Sequence, residues 1–189
     1  MENLKKYLFN IEAHLIQTHS KLFDWFNCDD KLKLYCPANG GWCISQVLEH
    51  VMLTSHFLLI LIDKGRIKAL KNVNAWSLED ELNSFHFDLE KLDEIGVHKS
   101  FSWTRPEHME PKGEKAEIDI KLELIHQLTR CLTYLEELKN GEGLLNKTTM
   151  TVNELGKINV YEYIYFLSKH AERHLCQIEK VKEEYDSNR

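Results

Sequence analysis

Residues 156–178 read GKINVYEYIYFLSKHAERHLCQI, and this stretch decides the fold. Apolar side chains recur along it, and just beyond it, at heptad-like spacing: Ile164, Leu167, Ala171, Ile178 and Val181. Steps of three, four and seven residues place side chains on one face of an α-helix. The pattern therefore predicts an amphipathic helix from about Val160 to Tyr185, with one buried face.

Three other segments carry the same periodicity. Helices are predicted over roughly Glu2–Asn27, Trp42–Lys64 (with Gly65 as a stop signal) and Glu117–Asn140. The buried stripe predicted for the third of the four helices comprises Ile118, Leu122, Ile125, Leu132 and Leu135. Four amphipathic helices of similar length are typical of a four-helix bundle. We therefore expect an all-α fold, with residues 1–189 forming a single four-helix bundle domain.

The segment from Arg66 to Ala116, between the second and third helices, is less regular. A short helix is predicted over Leu78–Ile95, after the start signal Ser77-x-x-Asp80. Long irregular connections often form lids or binding surfaces. If the protein is a binding module, five aromatic side chains of this connection offer a partner surface: Trp76, Phe85, Phe87, Phe101 and Trp103.

Composition excludes several classes of protein. The net charge of -6 at pH 7, with no basic stripe, argues against a nucleic-acid groove. The most apolar stretch, residues 51–62, is interrupted by polar side chains and is too short to span a bilayer. The N-terminal residues have a helical rhythm and no continuous apolar region of a signal peptide. We expect a cytoplasmic protein that engages neither nucleic acid nor membrane.

Three of the ten histidines stand out by position. His170 and His174 lie four residues apart on the inward face of the last helix, and two imidazoles one turn apart can hold a cation at about 2.1 Å. The same spacing also suits a buried, hydrogen-bonded pair without a metal. His50, on the inward side of the second helix, could add a third nitrogen from an opposite wall. Burying three imidazoles without partners is costly, and this favours the metal.

Other polar residues receive secondary roles. Gln177 shares the face of the histidine pair and could orient a ligand, although it could equally be a polar residue at the edge of the helix. His126 lies at the edge of the third helix's predicted stripe, where a fourth ligand could come from. Arg173 is expected to pair with a carboxylate, and Glu49 and Glu123 are expected to be solvated charges.

These residues resemble a known family. Residues 156–178, with their H-x-x-R-H-x-x-Q-I pattern, resemble the C-terminal signature of the DinB-like, YfiT-like superfamily. Residues 41–50, GWCISQVLEH, resemble its first element, in which a Trp-Ser segment opens the helix that bears the first ligand. The family's mid-chain loop is similar to Trp103, Arg105-Pro106 and Pro111-Lys112-Gly113. The resemblance covers nearly the whole chain.

The resemblance implies a four-helix bundle with a mononuclear site of three histidines, here His50, His170 and His174, filled by zinc or nickel. Characterised members include thiol-dependent S-transferases and isomerases. A homodimer is expected on the resemblance alone.

Two reactions suit such a site, because three protein ligands leave a fourth position open. That position could hold a water, which indicates a hydrolase, or a low-molecular-weight thiol, which indicates an S-transferase. Either enzyme would act on a small molecule. The alternative is a non-catalytic, stress-related binding or interaction bundle whose metal is structural or absent.

Overall fold

The computed structural model describes residues 2–75, 77–98, 100–101 and 106–188, and these are mostly helical. The α-helices are α1 (Glu2–Asp24), α2 (Asp30–Lys33), α3 (Ile44–Asn72), α4 (Leu78–Ser84), α5 (Glu90–Gly96), α6 (Glu117–Glu137) and α7 (Val160–Ser187). Short 3-10 helices lie at Trp25–Asn27, Glu107–Met109, Glu142–Leu145 and Val152–Glu154. Strands β1 (Lys147–Met150) and β2 (Gly156–Asn159) pair antiparallel, with Lys147 opposite Asn159 and Met150 opposite Gly156. The expected helical class is confirmed, with a small hairpin added.

The long helices pack around α7. Helix α7 packs against α1 and α3, and α6 packs against the same two helices. All five apolar residues predicted for the buried face of α7 are at most 4% exposed. Burial of each of the four larger side chains contributes roughly 1.5–3 kcal/mol. The apolar stripe of α7 therefore sets its rotation in the fold, as its spacing predicts.

The start of α7 is fixed by a capping box. The Asn159 side chain accepts hydrogen bonds from the backbone N–H groups of Tyr161 and Glu162, at 2.9 and 3.1 Å. In return the Glu162 carboxylate accepts from the Asn159 N–H at 2.6 Å. These contacts satisfy N–H groups that have no partner inside the helix. Strand β2 ends at the same residue, so hairpin and cap together define where α7 begins.

The face predicted for α6 is wrong over its first half. Ile118, Leu122 and Ile125 are 60%, 57% and 41% exposed. The residues that α6 buries are Ile120, Leu124, Gln127, Cys131, Tyr134 and Leu135. The true face lies two residues further along, which is about 200° around the helix. Apolar residues occur on both faces of this segment, and a glutamine lies on the buried one, so periodicity alone selects the wrong side.

Helix α3 continues well past its predicted stop. Gly65 does not end the helix but lies buried within it, and α3 runs for 29 residues to Asn72. A Cβ at Gly65 would lie 3.2 Å from Asn146 Nδ2 and 3.3 Å from Val160 Cγ2. The glycine is therefore explained by close packing against the segment that leads into α7, and the irregular connection begins only after Asn72.

By length and composition α3 would also suit a membrane span. However, 61% of its most apolar window is buried inside the protein. A core helix passes the same test, so its apolar character is accounted for by packing against α6 and α7.

Two short α-helices, α4 and α5, occupy the range Leu78–Ile95 where one helix was predicted. The Ser77 side chain accepts from the Asp80 N–H at 3.2 Å, which confirms the start signal. The helix breaks after Ser84 and resumes at Glu90. Leu92 and Ile95 of α5 are buried against the core, so this part of the connection is a packed element.

Three of the aromatic side chains expected to offer a partner surface, Phe85, Phe87 and Phe101, pack against the core. The rings of Phe85 and Phe87 meet the buried ring of Tyr7 edge-to-face, with centroids 5.7 and 5.6 Å apart. Such pairs stabilise a core beyond the area they bury. Trp76, Trp103 and Arg105 lie outside the described residues.

Candidate metal centre

Three histidines from two helices meet at one point. His50 projects from α3, and His170 and His174 project from adjacent turns of α7. One ring nitrogen from each residue can be chosen such that all three lie within 4.8 Å of one another. The Nε2 atoms of His170 and His174 are 3.1 Å apart. Nitrogens bonded to one ion at about 2.1 Å would have a similar separation.

The helices place these side chains by simple periodicity. Residues four apart on a helix lie one above the other, so both α7 imidazoles face the same way. His50 lies among the buried residues Val47, Leu48 and Val51 of α3 and is 4% exposed. Because α3 packs directly on α7, His50 reaches the pair across the helix interface.

Backbone and amide oxygens orient two of the rings. His50 Nδ1 lies 2.7 Å from the carbonyl oxygen of Met109, which can only accept a hydrogen bond. His174 Nδ1 lies 2.9 Å from Gln177 Oε1, also an acceptor. Both Nδ1 atoms therefore carry the hydrogen, which leaves each Nε2 with a lone pair available to a metal. The role predicted for Gln177 is thus supported by its contact.

Burial keeps the α7 pair neutral. Desolvation, followed by the nearby His174, His50 and Arg173, holds the pKa of His170 well below its usual range. Desolvation, with a smaller contribution from His50, lowers the pKa of His174 to about 3. Neutral imidazole is the form that binds metals, so these histidines need not lose a proton at neutral pH. The three ring nitrogens, the orientation of two of the rings and the neutral state of the α7 pair all fit one divalent ion.

A cavity of about 380 Å³ opens beside the three histidines. Its other walls include Trp42, Thr54, His98, Met109, Arg173 and Gln177. The Thr54 hydroxyl lies 3.5 Å from His50 Nε2. The volume lies within the range of small-molecule sites, which combine apolar walls with a few polar groups.

Glu49, near the three histidines, has a role that the sequence did not predict. Glu49 is buried, not solvated, and its carboxylate accepts the Gly113 N–H at 2.7 Å. Together with the bond from His50 to Met109 O, this contact fastens the 106–113 segment onto α3. The segment that precedes α6 therefore helps to orient a candidate ligand.

Arg173 also differs from its expected role. Its described hydrogen bonds join it to oxygens of the connection and not to a carboxylate. The guanidinium donates to the carbonyl oxygens of Val97 and Phe101, and it lies over the Phe101 ring at 4.8 Å. Arg173 thereby holds the end of the α5 segment at the rim of the cavity.

His126 is not a fourth ligand. Its side chain is 61% exposed on the outer surface of α6, and the cluster of candidate ligands found among the described residues contains only the three histidines.

We expect Gln177→Leu to weaken metal binding by about 10- to 100-fold, the usual effect of losing a partner that orients a ligand. Without Oε1 the His174 ring loses its fixed orientation and tautomer. Gln177→Glu keeps an acceptor and should retain most of the affinity. Competition against a chromophoric chelator measures the change, with Lys180→Ala, an exposed residue three positions further along α7, as control. Equal affinities in Gln177→Leu and Lys180→Ala would contradict the role of Gln177.

Comparison with known proteins gives one finding on ancestry. The family model of the DinB superfamily matches residues 14–178, which include all three histidines. No curated protein and no solved structure matches the chain.

Proposed function

The chain belongs to the DinB superfamily, and on this premise we propose that it is a metal-dependent enzyme whose divalent ion is held by His50, His170 and His174. One observation carries the proposal: three converging imidazoles, two of them oriented through Nδ1, border a cavity large enough for a small molecule. Structural zinc sites usually have four protein ligands and favour cysteine, whereas three histidines with space beside them are typical of catalytic sites.

The long helices α1, α3, α6 and α7 form a four-helix bundle in this proposal, and the chain is one domain. The packing of α7 and α6 against α1 and α3 supports this arrangement. The protein acts in the cytoplasm on a small molecule, without nucleic acid or membrane, and a homodimer is compatible with the site.

Zinc or nickel is the ion expected, because imidazole ligands suit both. When bound, such an ion lowers the pKa of a coordinated water or thiol and so supplies a nucleophile at neutral pH. The protein is therefore a hydrolase or a low-molecular-weight-thiol S-transferase.

The chain's own residues would bind and orient the substrate. Trp42 and Met109 give the cavity apolar walls, and Arg173 is a cation at its rim. The Thr54 hydroxyl, near His50 Nε2, can donate to or accept from a group that enters beside the histidines.

Metal content tests the site directly. Untagged wild-type protein, equilibrated with zinc and freed of loosely bound ions by gel filtration, should retain one ion per chain by plasma emission. His170→Ala should retain almost none, since it loses a ligand from the middle of the site. His86→Ala removes an exposed histidine of the connection and should behave as wild type.

Retention of the ion by His170→Ala would refute the assignment of the ligands. If the ion is lost, the zinc- or nickel-loaded protein is assayed for thiol transfer and for hydrolysis on panels of small substrates. Loss of the measured activity in His170→Ala, with activity kept in His86→Ala, would support an enzyme. A metal-loaded protein inactive in both panels would favour the binding bundle.

A further inference from the structure

The cavity beside the three histidines carries a positive charge that no described carboxylate balances. Arg173 lines the cavity, and it is the one lysine or arginine among the described residues that do so. No aspartate or glutamate occurs among these residues, although the chain has 30 acidic residues and a net charge of -6. The described part of the lining is therefore cationic in a protein that is acidic as a whole.

The acidic residues next to the candidate ligands have other partners. Glu172, which precedes Arg173 on α7, pairs with Lys169 at 2.5 Å. Glu49 of α3 accepts a hydrogen bond from the Gly113 N–H. In the part of the chain that the structure describes, Arg173 forms hydrogen bonds with uncharged oxygens and no ion pair with a carboxylate. The charge of Arg173 is thus available to an anion that enters the cavity.

The Arg173 guanidinium also keeps N–H donors for a ligand. Nη1 donates to the Val97 carbonyl oxygen and to the Ser100 hydroxyl, and Nη2 donates to the Phe101 carbonyl oxygen. Because a guanidinium carries five N–H donors, Nε–H and one hydrogen of Nη2 remain without a described acceptor. The Phe101 ring lies 4.8 Å from the guanidinium carbon and covers one face of the group. These contacts orient the cation without neutralising it.

We propose that Arg173 binds a carboxylate group of the substrate, so that the cavity takes a small carboxylate-bearing molecule. The inference rests on the proposed function, which places a small molecule in this cavity. A guanidinium matches a carboxylate through parallel N–H···O bonds. A phosphate monoester carries nearly two negative charges and a carboxylate carries one, so a single arginine suits the carboxylate better. The walls formed by Trp42 and Met109 suit the carbon chain of such a molecule.

The test compares two thiols that differ in one charge, 3-mercaptopropionate and its neutral amide, 3-mercaptopropionamide. Each is titrated into untagged, zinc-loaded protein and followed by isothermal calorimetry. Wild type should bind the carboxylate about 10- to 100-fold more tightly than the amide, the usual effect of hydrogen bonds to a charged group. Arg173→Gln should lose most of this preference while binding the amide as wild type does. Arg173→Lys should keep part of the preference, because it keeps the charge but not the planar donor group.

Arg130→Gln is the matched control, because Arg130 lies on α6 and its described hydrogen bonds go to the Tyr134 hydroxyl. It should keep the preference of wild type. Equal affinities of wild type for the two thiols would overturn the proposal, as would an Arg173→Gln variant that weakens both thiols to the same extent, since Arg173 would then only hold the connection.

Plasma emission on each protein before the titrations separates this proposal from the proposed function. A wild type that retains no zinc refutes the proposed metal centre. The two thiols are then titrated into the metal-free protein, where a preference for the carboxylate that Arg173→Gln loses would still support the role of Arg173. A metal-free wild type that does not distinguish the two thiols would overturn that role as well.

Discussion

Tyr161→Ala is expected to lower the free energy of unfolding by about 3 to 5 kcal/mol, as for other large aromatic residues removed from a core. Tyr161 is fully buried in the first turn of α7. Its hydroxyl donates to the carbonyl oxygen of Leu138 and accepts from the Gly143 N–H at 3.0 Å. The truncation therefore leaves both a cavity and two backbone groups without this partner. Urea denaturation followed by circular dichroism measures the change.

Two further variants separate packing from hydrogen bonding. Tyr161→Phe keeps the ring and should cost about 1 to 3 kcal/mol, the penalty for a buried polar group left without its partner. Gly143→Ala should also lower the free energy of unfolding. Its Cβ would lie 2.6 to 2.8 Å from carbons of the Tyr161 ring, so the ring or the Gly143 backbone would have to move. Phe9→Ala, at an aromatic that is 66% exposed, is the control, and an equal loss of stability in Phe9→Ala and Tyr161→Ala would refute the prediction.

Metal-free protein is expected to lose stability steeply between pH 7 and pH 5. In the unfolded chain His174 titrates near its ordinary pKa of about 6.5, but in the folded protein its pKa is about 3 because it is buried. Within this window the unfolded state binds a proton that the folded state does not, so acid favours unfolding. His174 alone should remove about 2 kcal/mol by pH 5. His170, whose pKa is lowered in the same direction, adds to the loss.

The double substitution His170→Gln and His174→Gln provides the test. It should flatten the pH dependence of unfolding in chelator-treated protein, measured by urea denaturation at half-unit steps. A residual slope should remain, because burial also lowers the pKa of His14 and of His19. If the double variant loses stability as steeply as wild type, the histidine pair is not the source of the acid sensitivity.

Sequence spacing indicated that His170 and His174 share one inward face and that His50 points inward, and the family resemblance joined the three into one ligand set. His170 and His174 lie between Leu167 and Ile178, and His50 lies between Val47 and Val51. The meeting of the three rings follows from the packing of α3 on α7.

Periodicity failed on α6 for a physical reason. A helix with apolar residues on two faces can bury either, and tertiary packing makes the choice. Leu124 and Cys131 fit against α1 and α3, while Ile118 and Leu122 remain at the surface. On the buried face, the Gln127 amide nitrogen donates to Met52 O, a partner that a sequence pattern cannot reveal.

The partners that orient the site could not be predicted, because they come from irregular backbone. The carbonyl of Met109 and the N–H of Gly113 become available to His50 and Glu49 only through the path of the 106–113 segment. Because nearly every residue carries the same backbone N–H and C=O groups, the sequence does not indicate which of them will bind a side chain. Gln177 was predictable because its contact with His174 is local to one helix.

The division of the three histidines between α3 and α7 also bears on biosynthesis. More than a hundred residues separate His50 from His170 in the chain. A ribosome adding about 5–20 residues per second needs several seconds or more to make that interval. During this time the nascent chain presents one imidazole of the three, so it cannot capture an ion in the final geometry. Loading with the proposed metal would therefore follow the emergence and docking of α7, and a nearly folded protein would select the ion.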